Sequence, residues 1–167
     1  MLQNLNFAMK KFPIHMLRKL LAFFFLVVLA ASCKKDVTDY GPIDKKIIED
    51  YLVANNLTAQ STASGLYYII IKPGGVNHPK ITSSISANYQ GYLTNGTVFD
   101  QSYSTGAPAN FALTAVIKGW QEGLQLIGVK GKIKLLVPSA LGYGATAKTG
   151  IPANSVLIFD IEMVEFY

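Results

Sequence analysis

From Gly65 onward the chain alternates short runs of β-branched and aromatic residues with turn-forming glycine, proline and asparagine, and this alternation restricts the fold more than any other feature. Short runs of this kind, bounded by turn residues, are typical of β-strands. Strands are therefore predicted over residues 66–72, 84–93, 97–99, 131–137 and 156–166, the first of them buried.

Within this region, residues 116–126 have the length and pattern of one short helix, which Gly128 ends. Asn95 and Gly96 are expected to supply the positive φ angles of a tight hairpin turn. Several antiparallel strands with one short helix between them indicate an α+β fold, in which an antiparallel β-sheet wraps around that helix.

A second helix is predicted over residues 44–56, before the first strand. Ile47, Ile48, Tyr51 and Leu52 recur at helical spacing on one side, and charged residues lie opposite. We expect this amphipathic helix to pack against its own domain, and a dimer interface or a membrane surface is the alternative.

The first 32 residues have the pattern of a signal sequence. Four basic residues precede the apolar run at residues 20–31. As a helix this run would span about 18 Å, short of the ~30 Å hydrocarbon core, which argues against a permanent transmembrane helix. Met9 and Met16 could each also begin such a sequence.

Residues 29–33, Leu-Ala-Ala-Ser-Cys, resemble a bacterial lipobox, in which the cysteine is lipidated and becomes the first residue of the mature protein. Cys33 is accordingly predicted to anchor the protein in the bacterial cell envelope, at the outer membrane, and an ordinary secretory signal is the alternative. The predicted organisation is a signal peptide (1–32), a tether (33–42), the amphipathic helix with a linker (43–62) and one globular domain (63–167).

Charge and residue content exclude several classes of protein. The chain carries a formal charge of +5, but the first 32 residues hold four basic and no acidic residues, so the remainder is nearly neutral and gives no argument for a nucleic-acid partner. Lys130, Lys132 and Lys134 are interpreted as a solvated sheet face. With one cysteine, and with His78 as the only histidine after residue 15, a disulfide framework, a Cys/His zinc site and a Cys-His or Ser-His triad are excluded.

Three segments, in this order, resemble the FKBP-type peptidyl-prolyl cis-trans isomerases. They are VFDQS (residues 98–102), VIKGWQEGL (116–124), and LGYG (141–144) followed by IP (151–152) and LIFDI (157–161). The resemblance covers residues 65–166. It implies an enzyme that accelerates rotation about X–Pro bonds in exported proteins, through a hydrophobic pocket and without covalent chemistry, metal or cofactor. A non-catalytic chaperone or binding module for proline-containing segments is the alternative.

The resemblance also implies roles for nine residues of this sequence. Trp120 would form the floor of the proline pocket, the Tyr143 hydroxyl and the Ile117 N–H would donate to substrate carbonyls, and the Asp100 carboxylate would lie beside the twisted amide. The positions implied as catalytic are Phe99, Asp100, Trp120 and Tyr143, and those implied as substrate-binding are Tyr89, Val116, Ile117, Ile151 and Phe159.

Two positions depart from the pattern of the family. Ala109 replaces a further aromatic, and Lys148 lies near a position that is often aromatic or histidine. Both changes would open the pocket rim, and macrolide inhibitors of the family would compete with proline peptides there. Since every implied pocket position lies at Tyr89 or later, we expect the helix at residues 44–56 not to be needed for catalysis.

Overall fold

The computed structural model describes residues 38–103 and 106–167, and Asp39–Tyr167 form one compact unit. The predicted signal sequence, Cys33 and the first part of the tether lie outside the described residues. In the part of the chain that is described, no helix is both long enough and apolar enough to cross a membrane.

Helix α1 spans Gly41–Ala54 and begins three residues before its predicted start. Pro42 explains the difference, because proline fits the first turn of a helix, where its missing N–H would have no intrahelical acceptor. Ile48 and Leu52 are buried against a cluster that includes Leu136 of the sheet. The prediction that the apolar side of this helix packs against its own domain is therefore confirmed.

The strands of the described residues form one sheet in which every pairing is antiparallel. They are β1 (Gln60–Ser61), β2 (Tyr67–Lys72), β3 (Ser84–Leu93), β4 (Val98–Gln101), β5 (Ala109–Ala112), β6 (Lys132–Val137) and β7 (Leu157–Phe166). Their order is β1-β2-β6-β7-β3-β4, and β5 pairs with β3 as well. Two short strands, β1 and β5, were not predicted.

Helix α2, Lys118–Gly123, packs on one face of this sheet and shares its main core. A 3-10 turn at Leu124–Leu126 follows it, so the predicted helix at 116–126 is shorter than expected. Along β6, Ile133, Leu135 and Val137 belong to this core, whereas Leu136 points to the opposite face and packs under α1. The predicted α+β fold, with an antiparallel sheet against one short helix, is confirmed.

The first predicted strand is not buried along its whole length. Ile70 and Ile71 of β2 are 39% and 60% exposed. Tyr67, Tyr68 and Ile69 are half-buried and the last three residues of β2 are exposed, at the end of the strand that β1 does not reach.

The hairpin between β3 and β4 also differs from its prediction. Of Asn95 and Gly96, only Gly96 has a positive φ, of 86°. The Leu93 N–H donates to the Thr97 carbonyl at 2.9 Å, so three residues, Thr94, Asn95 and Gly96, form the loop. The Asn95 side chain instead accepts a hydrogen bond from the Thr97 N–H at 3.0 Å.

Lys134 is not part of a solvated face. Its side chain is 15% exposed and lies 2.6 Å from Asp160. Its ammonium group also donates to the Tyr92 hydroxyl at 2.5 Å. The reason is that α1 lies over this face of the sheet and reduces its exposure to solvent.

Candidate functional site

A cavity of about 590 Å³ lies between the sheet and the N-terminal end of α2. The structure brings all nine positions implied by the sequence together around it. They are Tyr89, Phe99, Asp100, Val116, Ile117, Trp120, Tyr143, Ile151 and Phe159. Ala115, Lys148 and Thr149 also line the cavity, whereas Ala109, on β5, does not.

Trp120 forms a rigid aromatic base for this cavity. It is 5% exposed, and three rings meet it edge-on. The ring centroids of Tyr89, Phe159 and Phe111 lie 5.0, 5.1 and 5.2 Å from that of Trp120. Edge-to-face packing is a favoured aromatic geometry, so the indole orientation is well fixed. Phe111 was not anticipated, since it comes from the short strand β5.

The cavity wall formed by Phe99 and Phe159 depends on a glycine in β3. Gly91 pairs with Phe159 of β7 and with Asp100 of β4. A Cβ atom at Gly91 would lie 2.6 Å from the Phe99 ring and 2.7 Å from the Phe159 ring. The absence of a side chain therefore allows these rings to meet edge-on, with centroids 5.6 Å apart. A glycine inside a strand signals such a close approach, and this signal was available in the sequence.

A second glycine sets the position of α2. A Cβ atom at Gly119 would lie 2.6 Å from a methyl group of Val137. The helix consequently lies close against β6, which brings Ile117 and Trp120 to the edge and base of the cavity.

Tyr89 and Asp100 form a hydrogen-bonded pair on one side of the cavity. The Tyr89 hydroxyl donates to a carboxylate oxygen of Asp100 at 2.7 Å. Burial and, secondarily, this hydrogen bond raise the pKa of Tyr89 well above its usual range. Tyr89 therefore keeps its proton at physiological pH and holds the carboxylate in a fixed place.

The Tyr143 hydroxyl is a second donor at the cavity. Tyr143 is 37% exposed. Burial raises its pKa first, and the charge of Asp100 raises it further. The hydroxyl therefore stays protonated and can donate to an acceptor that enters the cavity.

The Ile117 N–H is a third donor, at the entry to α2. The hydrogen bonds found among the described residues give this N–H no acceptor, as is usual for the first amides of a helix. The Ile117 carbonyl, in contrast, accepts from the Trp120 N–H at 3.0 Å. The approach to the helix is fixed by Gln121, whose side-chain amide donates to the Val116 carbonyl at 2.8 Å.

Lys148 places a positive charge on the cavity rim. Two hydrogen bonds of 2.9 Å between the backbones of Lys148 and Ile151 close a tight turn there. The Lys148 ammonium lies 5.8 Å from the centre of the Tyr143 ring. Within residues 38–103 and 106–167, no carboxylate forms an ion pair with it.

The Tyr89 hydroxyl is bound to Asp100, which leaves two donors available to a ligand, the Tyr143 hydroxyl and the Ile117 N–H. The site thus combines aromatic walls, these two donors and a carboxylate around a space large enough for a small cyclic side chain. The described residues contain no group of three or more His, Cys, Asp or Glu placed to hold a metal ion. An apolar cavity with a few fixed polar groups suits the binding of a short extended peptide with an apolar residue at its centre.

Comparison with known proteins agrees with this geometry. Residues 75–164 match the model of the family described as FKBP-type peptidyl-prolyl cis-trans isomerase. A relative, FKBP-type peptidyl-prolyl cis-trans isomerase FkpA of Aeromonas hydrophila, is 43% identical over 136 residues, which are 80% of this chain and 49% of the relative. The chain spans about half the length of the curated relatives it matches.

Two solved structures are also similar. The crystal structure of FkpA from Escherichia coli aligns with a TM-score of 0.68 and 34% identity, over 93% of this chain and 74% of that one. A peptidyl-prolyl cis-trans isomerase of Pseudomonas syringae aligns with a TM-score of 0.64 and 27% identity, over 78% of this chain and 98% of that one.

Proposed function

Because the chain belongs to the family of FKBP-type peptidyl-prolyl cis-trans isomerases, we propose that it accelerates rotation about X–Pro bonds in the cavity above Trp120. The observation that carries the proposal is that one cavity is lined both by aromatic side chains and by polar groups. The aromatic residues are Phe99, Trp120 and Phe159, and the polar groups are the Ile117 N–H, the Tyr143 hydroxyl and the Asp100 carboxylate.

The physical problem is a rotation, and no bond is made or cut. A planar X–Pro amide must lose its resonance against a barrier of ~18–20 kcal/mol. The twisted amide is less dipolar than the planar one, so an apolar cavity that excludes water favours the twisted state relative to the ground state. A reduction of the barrier by ~5 kcal/mol would accelerate the rotation several thousand-fold.

Each polar group has a proposed part in this rotation. The proline ring enters between Phe99 and Phe159 and rests on Trp120. The Ile117 N–H and the Tyr143 hydroxyl hold the carbonyls on either side of the ring. The Asp100 carboxylate, oriented by Tyr89, lies beside the amide as it twists.

An isomerase and a module that merely holds proline segments can be separated with the full-length chain. Trp120 is the only tryptophan in the sequence and lies at the cavity base, so its fluorescence reports binding directly. Isomerisation is measured in parallel, with a proline-containing peptide and with a protein whose refolding is limited by proline isomerisation. We expect both signals. Binding without acceleration would favour the chaperone or binding module and refute the enzyme.

Phe99→Ala tests whether the cavity is the site. It removes one wall and admits water, which stabilises the planar amide, so we expect kcat/KM to fall on the order of 100-fold. Val98→Ala on the same strand is the matched control, since Val98 is 44% exposed and does not line the cavity. A folded Phe99→Ala protein with wild-type kcat/KM would refute the assignment. Macrolide inhibitors of the family should compete with the peptide.

We further propose that Cys33 carries a lipid anchor and that the enzyme acts on exported proteins in the bacterial cell envelope. The support is the sequence alone, an apolar run that ends in Ala-Ala-Ser-Cys. Cys33→Ser should release the protein from the membrane fraction, whereas Ser32→Ala, which keeps a small residue before the cysteine, should not. An unmodified Cys33 in the intact mass of the mature wild-type protein would refute the anchor.

A further inference from the structure

Helix α1 contains a buried carboxylate that the amphipathic pattern does not explain. Asp44 is fully buried, although the charged residues that follow it on this helix, Lys45, Lys46, Glu49 and Asp50, are all exposed. A buried carboxylate is costly unless hydrogen bonds satisfy it, and an apolar residue would fill the same space at lower cost. The position of Asp44 therefore points to a specific partner.

That partner is Ser139, which lies 95 residues further along the chain, two residues after the end of β6. One Asp44 oxygen accepts the Ser139 N–H at 2.8 Å and the Ser139 hydroxyl at 2.6 Å. Ser139 is itself 2% exposed. The other Asp44 oxygen, Oδ1, is buried without a hydrogen-bond partner among the described residues, so Ser139 is the partner that holds this carboxyl group. Two hydrogen bonds from one residue to one oxygen fix the Ser139 backbone with respect to α1.

Ser139 in turn binds the backbone on both sides of Tyr143. Its carbonyl accepts the Gly142 N–H at 3.0 Å and the Gly144 N–H at 2.9 Å, the amides immediately before and after Tyr143. Gly144 adopts a positive φ of 56° at this point, and its carbonyl accepts the Asn154 N–H at 2.8 Å. A shift of Ser139 is thus passed directly to the backbone that aims the Tyr143 hydroxyl into the cavity.

We propose that Asp44 is a positioning residue for the active site, acting through Ser139 on the Tyr143 hydroxyl. The inference rests on the proposed isomerase function and adds to it a contribution from α1, which lines no part of the cavity. The expectation that this helix can be removed without loss of catalysis therefore does not follow from the structure. Removal of α1 would also remove the two hydrogen bonds that fix Ser139.

The helix itself is held by contacts that do not involve Asp44. Ile48 and Leu52 lie one and two turns further along α1, in a cluster with Leu136 and Val156. Loss of the Asp44 carboxylate therefore leaves the apolar anchor of the helix in place. Leu52→Ala provides the matched control, because it weakens that anchor and leaves the Asp44–Ser139 contact intact.

The test uses the full-length chain with Asp44→Ala, Asp44→Asn, Ser139→Ala and Leu52→Ala, each also combined with Tyr143→Phe. We expect Asp44→Ala to lower kcat/KM about tenfold, with the same division between kcat and KM as Tyr143→Phe. Asp44→Asn, which keeps an acceptor oxygen, and Ser139→Ala, which keeps the backbone donor, should lose less. Leu52→Ala should unfold at lower urea concentration with wild-type kcat/KM.

The combinations decide whether the effect passes through Tyr143. Asp44→Ala in the Tyr143→Phe background should cause no further loss, since the hydroxyl that it positions is already absent. Independent losses that multiply, or wild-type kcat/KM in a folded Asp44→Ala protein, would overturn the proposal. If Asp44→Ala does not fold, Asp44→Asn and Ser139→Ala carry the same comparison.

Amide hydrogen exchange separates this inference from the proposed function. The Gly142 and Gly144 amides donate to Ser139, so they should exchange faster in Asp44→Ala than in Leu52→Ala at equal global stability. Unchanged exchange of both amides would show that Asp44 does not hold the loop. Absence of isomerase activity in the wild-type chain would refute the proposed function, and the exchange rates would still decide whether Asp44 holds Tyr143 in place.

Discussion

Replacement of Gly91 by alanine should impair the cavity while adding only one methyl group to the protein. Gly91 is buried in β3, and the new Cβ would lie 2.6 Å from the Phe99 ring and 2.7 Å from the Phe159 ring. Carbon atoms in contact prefer separations of about 3.5–4.0 Å. Each ring must therefore move by about 1 Å, or β3 must shift by a similar distance.

The size of the effect follows from these displacements. Overpacking of a core typically costs about 1–3 kcal/mol of the free energy of unfolding. Both rings that must move are walls of the cavity, and a misplacement of about 1 Å can reduce catalysis on the order of 100-fold. We expect Gly91→Ala to lose both stability and kcat/KM, with a weaker Trp120 fluorescence response to a proline peptide.

Gly96→Ala is the matched control for this variant. Gly96 adopts a φ of 86°, and a Cβ atom there would meet nothing within 4 Å. The left-handed backbone should cost alanine about 1–2 kcal/mol, a loss of stability similar to that of Gly91→Ala but far from the rings. The measurements are urea unfolding and peptide isomerisation for both variants. The reasoning fails if a folded Gly91→Ala protein keeps wild-type kcat/KM, or if Gly96→Ala loses as much activity.

Two further outcomes are expected from the charges of the domain. Burial raises the pKa of both Tyr89 and Tyr92; a hydrogen bond to Asp100 raises that of Tyr89 further, and one to Tyr51 raises that of Tyr92. The protonated hydroxyls therefore contribute to the free energy of unfolding. This contribution is complete below pH ~10, the usual tyrosine pKa, and is lost as the pH rises above it. The urea midpoint should fall from pH 9 to pH 11, and less steeply in Tyr92→Phe; an unchanged midpoint would contradict this. Because Lys148 lies on the rim, we expect kcat/KM at low salt to be about threefold higher for a peptide with glutamate before the proline than for one with lysine there. This preference should be reversed in Lys148→Glu and weakened by ~0.5 M salt.

The main strands and the short helix could be predicted because they depend on local sequence pattern. The cavity positions could be named because three motifs of the FKBP family occur together in this sequence. Residues 84–93 alternate over a full strand and have the same bounds in the structure. The strand β1 was not predicted because two residues are too few to show a period. The strand β5 is as short as β4, but the Asn95–Gly96 turn signal of a hairpin precedes β4 and not β5. The Asn95–Gly96 pair is compatible with more than one type of turn. In the structure the loop is longer than the predicted tight turn, and the Asn95 side chain accepts a hydrogen bond from the Thr97 N–H within it.

Tertiary contacts account for the remaining differences. Lys134 occupies an outward position that alternation assigns to solvent, but α1 lies over the same face of the sheet, and Tyr92 and Asp160 become its partners. Asp44 lies at the start of a helix, where an acidic residue has a local explanation in the helix dipole. Its actual partner, Ser139, is distant in the chain, and no spacing rule connects the two.

The place of β7 in the sheet has a consequence for how the protein is made. Leu157–Phe166 is the last strand along the chain, yet it lies between β6 and β3 and joins the two halves of the sheet. A ribosome releases this segment after every other strand. Until then β2 and β6 on one side and β3, β4 and β5 on the other have no common partner, and their apolar faces cannot close over α2. The domain should consequently acquire its fold only after synthesis of β7, in a single late step.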